Sequence, residues 1–209
     1  MKVTHNLDPF PYILVDEYFS PTEVEDIWGE MLKLATSNAM LPATATGTAV
    51  DLDGNLLKNN RAVFLYEEYG DRAHESKIIA HSTNRLFGPE MREQYLSSPS
   101  WFFNRGFPVT NRDTVLVSYY ESGDMYRPHH DCGLFTALMW FFKEPKAFGG
   151  GNFIFSHFGI EIEVLPNRCI IFPSLITHEV SPVTMNSNAE PMSGRFTLTH
   201  FATTVPANG

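Results

Sequence analysis

Beyond residue 112 the chain becomes a series of short runs rich in aromatic and β-branched residues, and this limits its fold more than any other feature. The runs cover residues 114–120, 135–142, 152–155, 160–164, 168–172 and 195–201, with turn-forming residues between them. Such residues fit a pleated, half-buried surface, and strands at this spacing assemble into a sandwich or a barrel. The first half reads differently. Tyr12-Ile13-Leu14-Val15 is a short apolar run that predicts a buried strand. Ser20-Pro21-Thr22-Glu23 combines a capping box with proline at the first helical position, and Val24, Ile27, Trp28 and Met31 follow at helical spacing. A helix over about 21–35 is predicted. Residues 61–66 read as a strand, 72–86 as a second helix stopped by Gly88-Pro89, and 90–96 as a shorter helix. Residues 37–60 show no period, with small residues and an Asp53-Gly54 turn signal. That suits an exposed loop or a flap over a site.

The 209 residues suit one core. The expectation is a single domain, with 1–110 as helical support and variable loops and 111–209 as a β-rich core carrying nearly all the candidate chemistry. A formal net charge of -9 disfavours a phosphate backbone as partner. Two cysteines, Cys132 and Cys169, do not make a disulfide framework and point to a reducing compartment. Residues 1–16 carry no apolar signal core, and no stretch approaches a membrane span. A soluble, cytoplasmic protein is expected.

His129-His130-Asp131 places a histidine and a carboxylate two apart. In an extended segment, positions i and i+2 point the same way, so His129 and Asp131 can converge on one ion while His130 faces away. His178, directly after the apolar run 169–176, supplies a third donor. Two imidazoles and one carboxylate on one face of an ion leave positions open opposite, the arrangement that suits iron(II) oxygenases. Gly194-Arg195 opens the last strand-like run. A guanidinium there can grip the far carboxylate of a dicarboxylate that chelates the metal through its 2-oxo acid end. The plainer alternative for Arg195 is a surface charge at a strand end.

The ordered set Tyr120, Gly123, Tyr126, His129, Asp131, Thr136, Gly150-Gly151, Pro166, Phe172, His178-Glu179-Val180-Ser181-Pro182-Val183 and Gly194-Arg195 resembles the 2-oxoglutarate and iron(II)-dependent dioxygenases, in their prolyl-4-hydroxylase-like branch. Residues 11–20 look like that branch's opening strand before its first helix. The resemblance implies a mainly β fold with flanking helices, a double-stranded β-helix or cupin-like jelly roll. It implies Fe(II), 2-oxoglutarate as co-substrate and O2, with ascorbate as an accessory. It implies that Tyr120 and Thr136 line the co-substrate pocket, that Arg195 binds the C5 carboxylate, and that an aliphatic C–H bond is hydroxylated, in a prolyl residue of a peptide or protein or in a free amino acid. Three departures stand out. The stretch between Asp131 and Thr136 is short. Trp140 stands where some relatives place a tyrosine that touches the co-substrate. Residues 185–193 read as a hairpin inserted between His178 and Arg195.

Other features carry less. Gly149-Gly150-Gly151 lacks the Lys-Ser/Thr of a phosphate loop and reads as a β-turn. His157 and His200 read as packed or exposed residues, and Cys132 as a small buried side chain. Tyr126 and Arg127 either flank the pocket mouth or lie on the surface. Two other functions fit the same metal core. A nucleic-acid demethylase usually carries a second arginine later on the last strand, and none follows Arg195 in Thr197-Leu198-Thr199-His200-Phe201. A catalytically silent cupin-like sensor differs only in lacking turnover.

Overall fold

The structure, a computed structural model, describes residues 1–47 and 50–205. Fourteen strands are described: β1 (Lys2–Asn6), β2 (Tyr12–Asp16), β3 (Leu41–Pro42), β4 (Arg61–Phe64), β5 (Arg112–Tyr120), β6 (Tyr126–His129), β7 (Phe135–Phe141), β8 (Phe148–Gly150), β9 (Phe153–Phe155), β10 (Ile160–Ile162), β11 (Cys169–Pro173), β12 (His178–Val180), β13 (Val183–Met185) and β14 (Arg195–Thr203). Four α-helices, α1 (Pro21–Thr36), α2 (Leu65–Tyr69), α3 (Lys77–Phe87) and α4 (Pro89–Ser97), lie in the first half.

The major sheet runs β1-β2-β11-β7-β14-β5-β4-β3, and a smaller sheet runs β10-β9-β12-β6. All recorded pairings are antiparallel. The major sheet separates two apolar cores. Ile27 and Met31 of α1, Ile78 and Leu86 of α3 and Met91 of α4 pack on one face with Val115, Val117, Met139 and Leu198. On the other face Leu138, Trp140, Ile170 and Phe172 meet Phe153, Phe155 and Val180 of the smaller sheet. Strand β14 shows how one segment serves both sides. Phe196, Leu198 and Ala202 join the helical core, while Arg195, Thr197, Thr199 and Phe201 face a cavity between the sheets. This is the alternation of a pleated strand, with an unusually polar inner row.

The helix α1 begins where expected. The Ser20 N–H donates to Glu23 Oε2 (2.8 Å), and Ser20 Oγ accepts from the Glu23 N–H (3.4 Å). Its apolar stripe reaches the sheet, with Trp28 edge-on to Phe196 at 5.4 Å between centroids. His200 ties α3 to the sheet from within, since its ring nitrogens meet Asp113 Oδ2 and Ser82 Oγ at 2.8 Å each. It is a fully buried, packed histidine, not a ligand.

Two local expectations fail. The strand at 61 stops at Phe64, and 65–69 turn into α2. The second helix begins at Lys77, because Ser76 caps it by accepting from the Ile79 N–H (3.1 Å); residues 70–75 form a 3-10 turn instead. Several strands, β6 and β12 among them, have too few residues to show a period. Within the 37–60 segment, residues 48 and 49 lie outside the described residues. Its last part docks on the chain leading into β6, where the Arg127 N–H donates to the Leu57 carbonyl (2.8 Å). No helix among the described residues is long and apolar enough to cross a membrane.

Candidate metal centre

Strands β6 and β12 are neighbours, and their register sets His129 directly against His178. The two rings lie 4.4 Å apart between centroids. Asp131 sits just past the end of β6. Its N–H donates to the Ser174 carbonyl (2.9 Å) and its Oδ2 accepts from Thr136 Oγ1 (2.7 Å). One donor atom from each of His129, Asp131 and His178 falls within 4.8 Å of the others. Asp131 Oδ1 is 3.7 Å from His129 Nε2, and its Oδ2 is 3.4 Å from His178 Nε2.

The imidazoles are prepared for such a role from behind. His129 Nδ1 meets the Arg127 carbonyl at 2.8 Å and His178 Nδ1 the Ile176 carbonyl at 2.9 Å. A carbonyl only accepts, so each Nδ1 carries a proton, which leaves Nε2 as the ring atom available to a metal. Burial, with the nearby His178, pushes the His129 pKa down to about 3, which keeps this imidazole neutral. Burial alone would raise the Asp131 carboxyl, but His178, His129 and Thr136 outweigh it and hold the group below the usual carboxylate range. The set offers two imidazole nitrogens and one carboxylate oxygen, an N2O face for a divalent ion.

The cavity beside these donors is lined by Lys58, Tyr120, Tyr126, Phe153, Arg195 and Thr197 among others. Arg195 is 1% exposed. Its Nη1 donates to Thr197 Oγ1 (2.9 Å), so the side chain lies along β14 in the cavity, while among the described residues Nε and Nη2 have no hydrogen-bond partner. Burial lowers its pKa to about 10, and it stays a cation at neutral pH. Its Cζ lies 5.0 Å from the Tyr120 ring centroid and 6.0 Å from that of Trp140, whose buried Nε1 also has no hydrogen-bond partner among the described residues. Gly194 explains the residue before it: a Cβ there would run into the Tyr120 carbonyl oxygen. Wider hollows exist elsewhere, one of about 360 Å³ near Thr83, Arg92 and Phe107. Among the described residues they carry no comparable donor set, and chemistry rather than volume marks the site.

Residues 115–203 match the sequence model of the 2OG-Fe(II) oxygenase superfamily. That segment belongs to the 2OG-Fe(II) oxygenase superfamily. No curated protein matches the chain by sequence. Among solved structures, a Pseudomonas putida prolyl-4-hydroxylase superposes with a TM-score of 0.60 at 17% identity, covering 93% of each chain. A Trichoplax adhaerens prolyl hydroxylase, solved with a hypoxia-inducible-factor peptide fragment, gives 0.62 at 13% identity, over 92% of this chain and 83% of that one. A collagen prolyl hydroxylase from Paramecium Bursaria Chlorella virus-1, solved as a 2OG complex, gives 0.56 at 14% identity, over 93% and 96%. At these identities the likeness establishes the shared fold, the double-stranded β-helix with flanking helices.

Fe(II) and 2-oxoglutarate as cofactors, with O2 as oxidant, go with that superfamily, and the fold is the one it shares with the prolyl hydroxylases. The donors present fit both groups. Three converging N and O ligand atoms suit the ion, and the unsatisfied Arg195 donors suit a carboxylate. The oxygenase also departs from the sequence-based assignments. Tyr120 lines the cavity, whereas Thr136 is fully buried against Asp131 and shares a 3.0 Å hydrogen bond with Ser174 Oγ. Cys132 is exposed, not buried, because the chain leaves the strand there. His130 and His157 are exposed as well. Arg61 faces Glu121 at 3.8 Å and Arg127 is exposed, so neither reaches the cavity. The residue overlooked is Lys58. It is 6% exposed, and burial lowers its pKa to about 8 while Asp131 opposes that shift. Only the sequence -Leu57-Lys58-Asn59-, in a segment without period, could have signalled it.

Proposed function

We propose that this oxygenase hydroxylates an aliphatic C–H bond of a prolyl residue in a peptide or of a free amino acid, with residues 1–209 acting as one domain. His129, Asp131 and His178 hold the iron, Arg195 binds the far carboxylate of 2-oxoglutarate, and Tyr120 flanks it. The observation that carries this reading is the pairing, in one cavity, of three converging ligand atoms with a fully buried arginine that has two unsatisfied donors. The peptide and the 2-oxoglutarate bound to two of the similar hydroxylases support it.

When bound, iron and 2-oxoglutarate supply the oxidising chemistry, in which O2 is split between succinate and the hydroxylated product. The protein's residues do the rest. Thr136 and Ser174 fix Asp131 through its side chain and its backbone N–H. The Arg127 and Ile176 carbonyls fix both imidazoles. Arg195 orients the co-substrate in a pocket that Leu138, Phe153 and Val180 help to wall.

The decisive experiment is mass spectrometry of prolyl peptides and free amino acids after incubation with Fe(II), ascorbate and 2-oxoglutarate. An added oxygen is expected on a substrate, with succinate formed in step. Absence of Fe(II)-dependent succinate would sink the oxygenase role of these residues. A second expectation concerns Thr136. Thr136→Val keeps the shape but removes the donor to Asp131 Oδ2, and residues that orient a metal ligand typically contribute about ten- to a hundredfold in affinity. Titration with Mn(II) should show that loss, and an unchanged affinity would mean that Thr136 does not orient the ligand.

A further inference from the structure

One charged residue of the cavity, Lys58, is neither a metal ligand nor a partner of the co-substrate. Lys58 is held there by its neighbours. Asn59 Nδ2 donates to the Gly123 carbonyl (3.0 Å), and its Oδ1 accepts from the Met125 N–H (2.8 Å). Together with the Leu57–Arg127 bond, this fastens both flanks of Lys58 to the chain that enters β6. Lys58 itself forms an antiparallel bridge with Tyr126. Its Nζ lies 5.6 Å from the Tyr126 ring centroid, and that ring stacks on His129 at 3.4 Å and 9°. Among the described residues no carboxylate forms an ion pair with Lys58 and no hydrogen bond reaches its ammonium. A buried ammonium is costly unless something pairs with it.

A charge count says what the partner is. Fe(II) and doubly ionised 2-oxoglutarate cancel. Asp131 offsets one of the two cavity cations, Arg195 and Lys58. The imidazoles are neutral as ligands. One positive charge is left over, and with Arg195 engaged by the co-substrate it is Lys58 that remains to meet the third reactant. We propose that Lys58 receives a carboxylate of the substrate, so that the C–H bond oxidised belongs to a molecule with an anionic group close to it. That carboxylate is the α-carboxylate of a free amino acid or an acidic side chain next to the target residue in a peptide. The proposal rests on the oxygenase reading of the cavity.

The test uses the full chain loaded with Mn(II) and 2-oxoglutarate under nitrogen, so that binding is read without turnover. Calorimetry first measures 2-oxoglutarate binding. Ligand-observed NMR then compares two probe series: free amino acids against their carboxamides, and blocked prolyl tripeptides with aspartate against asparagine beside the proline. In one series the acid should bind about ten- to a hundredfold more tightly than its amide, the range of a charge-assisted contact. The series that shows the preference identifies the source of the carboxylate. In Lys58→Met the ratio should fall close to one, and Lys58→Arg should keep it. Because the ratio is taken within each variant, general damage weakens acid and amide alike and leaves it unchanged. No preference for any acid in the parent, including no binding at all, overturns the proposal, as does a Lys58→Met protein that keeps the ratio. Failure of the parent to bind 2-oxoglutarate would instead remove the oxygenase reading on which it stands.

Discussion

Asp131→Asn is expected to weaken metal binding by more than about a hundredfold and to abolish Fe(II)-dependent succinate formation. A residue that merely orients a ligand contributes about ten- to a hundredfold in affinity, so losing the only anionic ligand should cost more. The amide keeps the size of the carboxylate and an oxygen for Thr136, so the cores on either side of the major sheet are left alone. The two imidazoles remain, with their Nδ1 atoms still tied to backbone carbonyls. Two neutral nitrogens hold a divalent ion poorly without the carboxylate. Equilibrium titration with Mn(II), followed by electron paramagnetic resonance, gives the affinity. A variant that binds Mn(II) like the parent would show that the three residues do not form the metal centre.

Arg195→Met should produce the second large effect, and it should act on the co-substrate alone. The methionine fills much of the same volume but offers no charge and no donors. A hydrogen bond to a charged group contributes roughly 1.5–3 kcal/mol, so the Kd for 2-oxoglutarate should rise about ten- to a hundredfold or more. Affinity for Mn(II) should change little, since Arg195 is not a ligand. The stability of the ligand-free protein should move the other way. Arg195 is buried, with Nε and Nη2 lacking hydrogen-bond partners among the described residues, and a buried cation with unmet donors destabilises a fold. The variant should therefore melt at a higher temperature than the parent when both are free of 2-oxoglutarate. Unchanged affinity for 2-oxoglutarate would take the carboxylate-binding role away from Arg195.

The metal residues were legible because their chemistry is local. His129 and Asp131 are two apart in sequence, and His178 follows a strand-forming run. The capping box of α1 was legible for the same reason, since Ser20 and Glu23 need only each other. Arg195 was legible in kind, as a guanidinium opening a strand, but its burial is not. That depends on Thr197, Tyr120 and Trp140, which meet it only through the pairing of β14 with β5 and β7. Thr136 shows the converse. It was placed in the pocket by resemblance, yet the register of β7 with β11 and the turn after His129 put it behind Asp131. Lys58 lies furthest from what a sequence can show. It enters the cavity through an isolated bridge and two side-chain bonds from Asn59, contacts across more than sixty residues that leave no period or motif.

Trp140 gives this pocket an optical handle. The chain has three tryptophans. Trp101 is 74% exposed, and Trp28 packs at the interface of α1 with the sheet, on the far side from the cavity. Trp140 alone is fully buried with its indole beside the Arg195 guanidinium. The Arg195 guanidinium contributes to the electric field at that indole, and a carboxylate arriving on Arg195 would offset much of that contribution. The emission wavelength of Trp140 is therefore coupled to occupancy of the co-substrate pocket. Trp28 and Trp101 supply a constant background from outside, so ligand binding can be followed in the unlabelled protein.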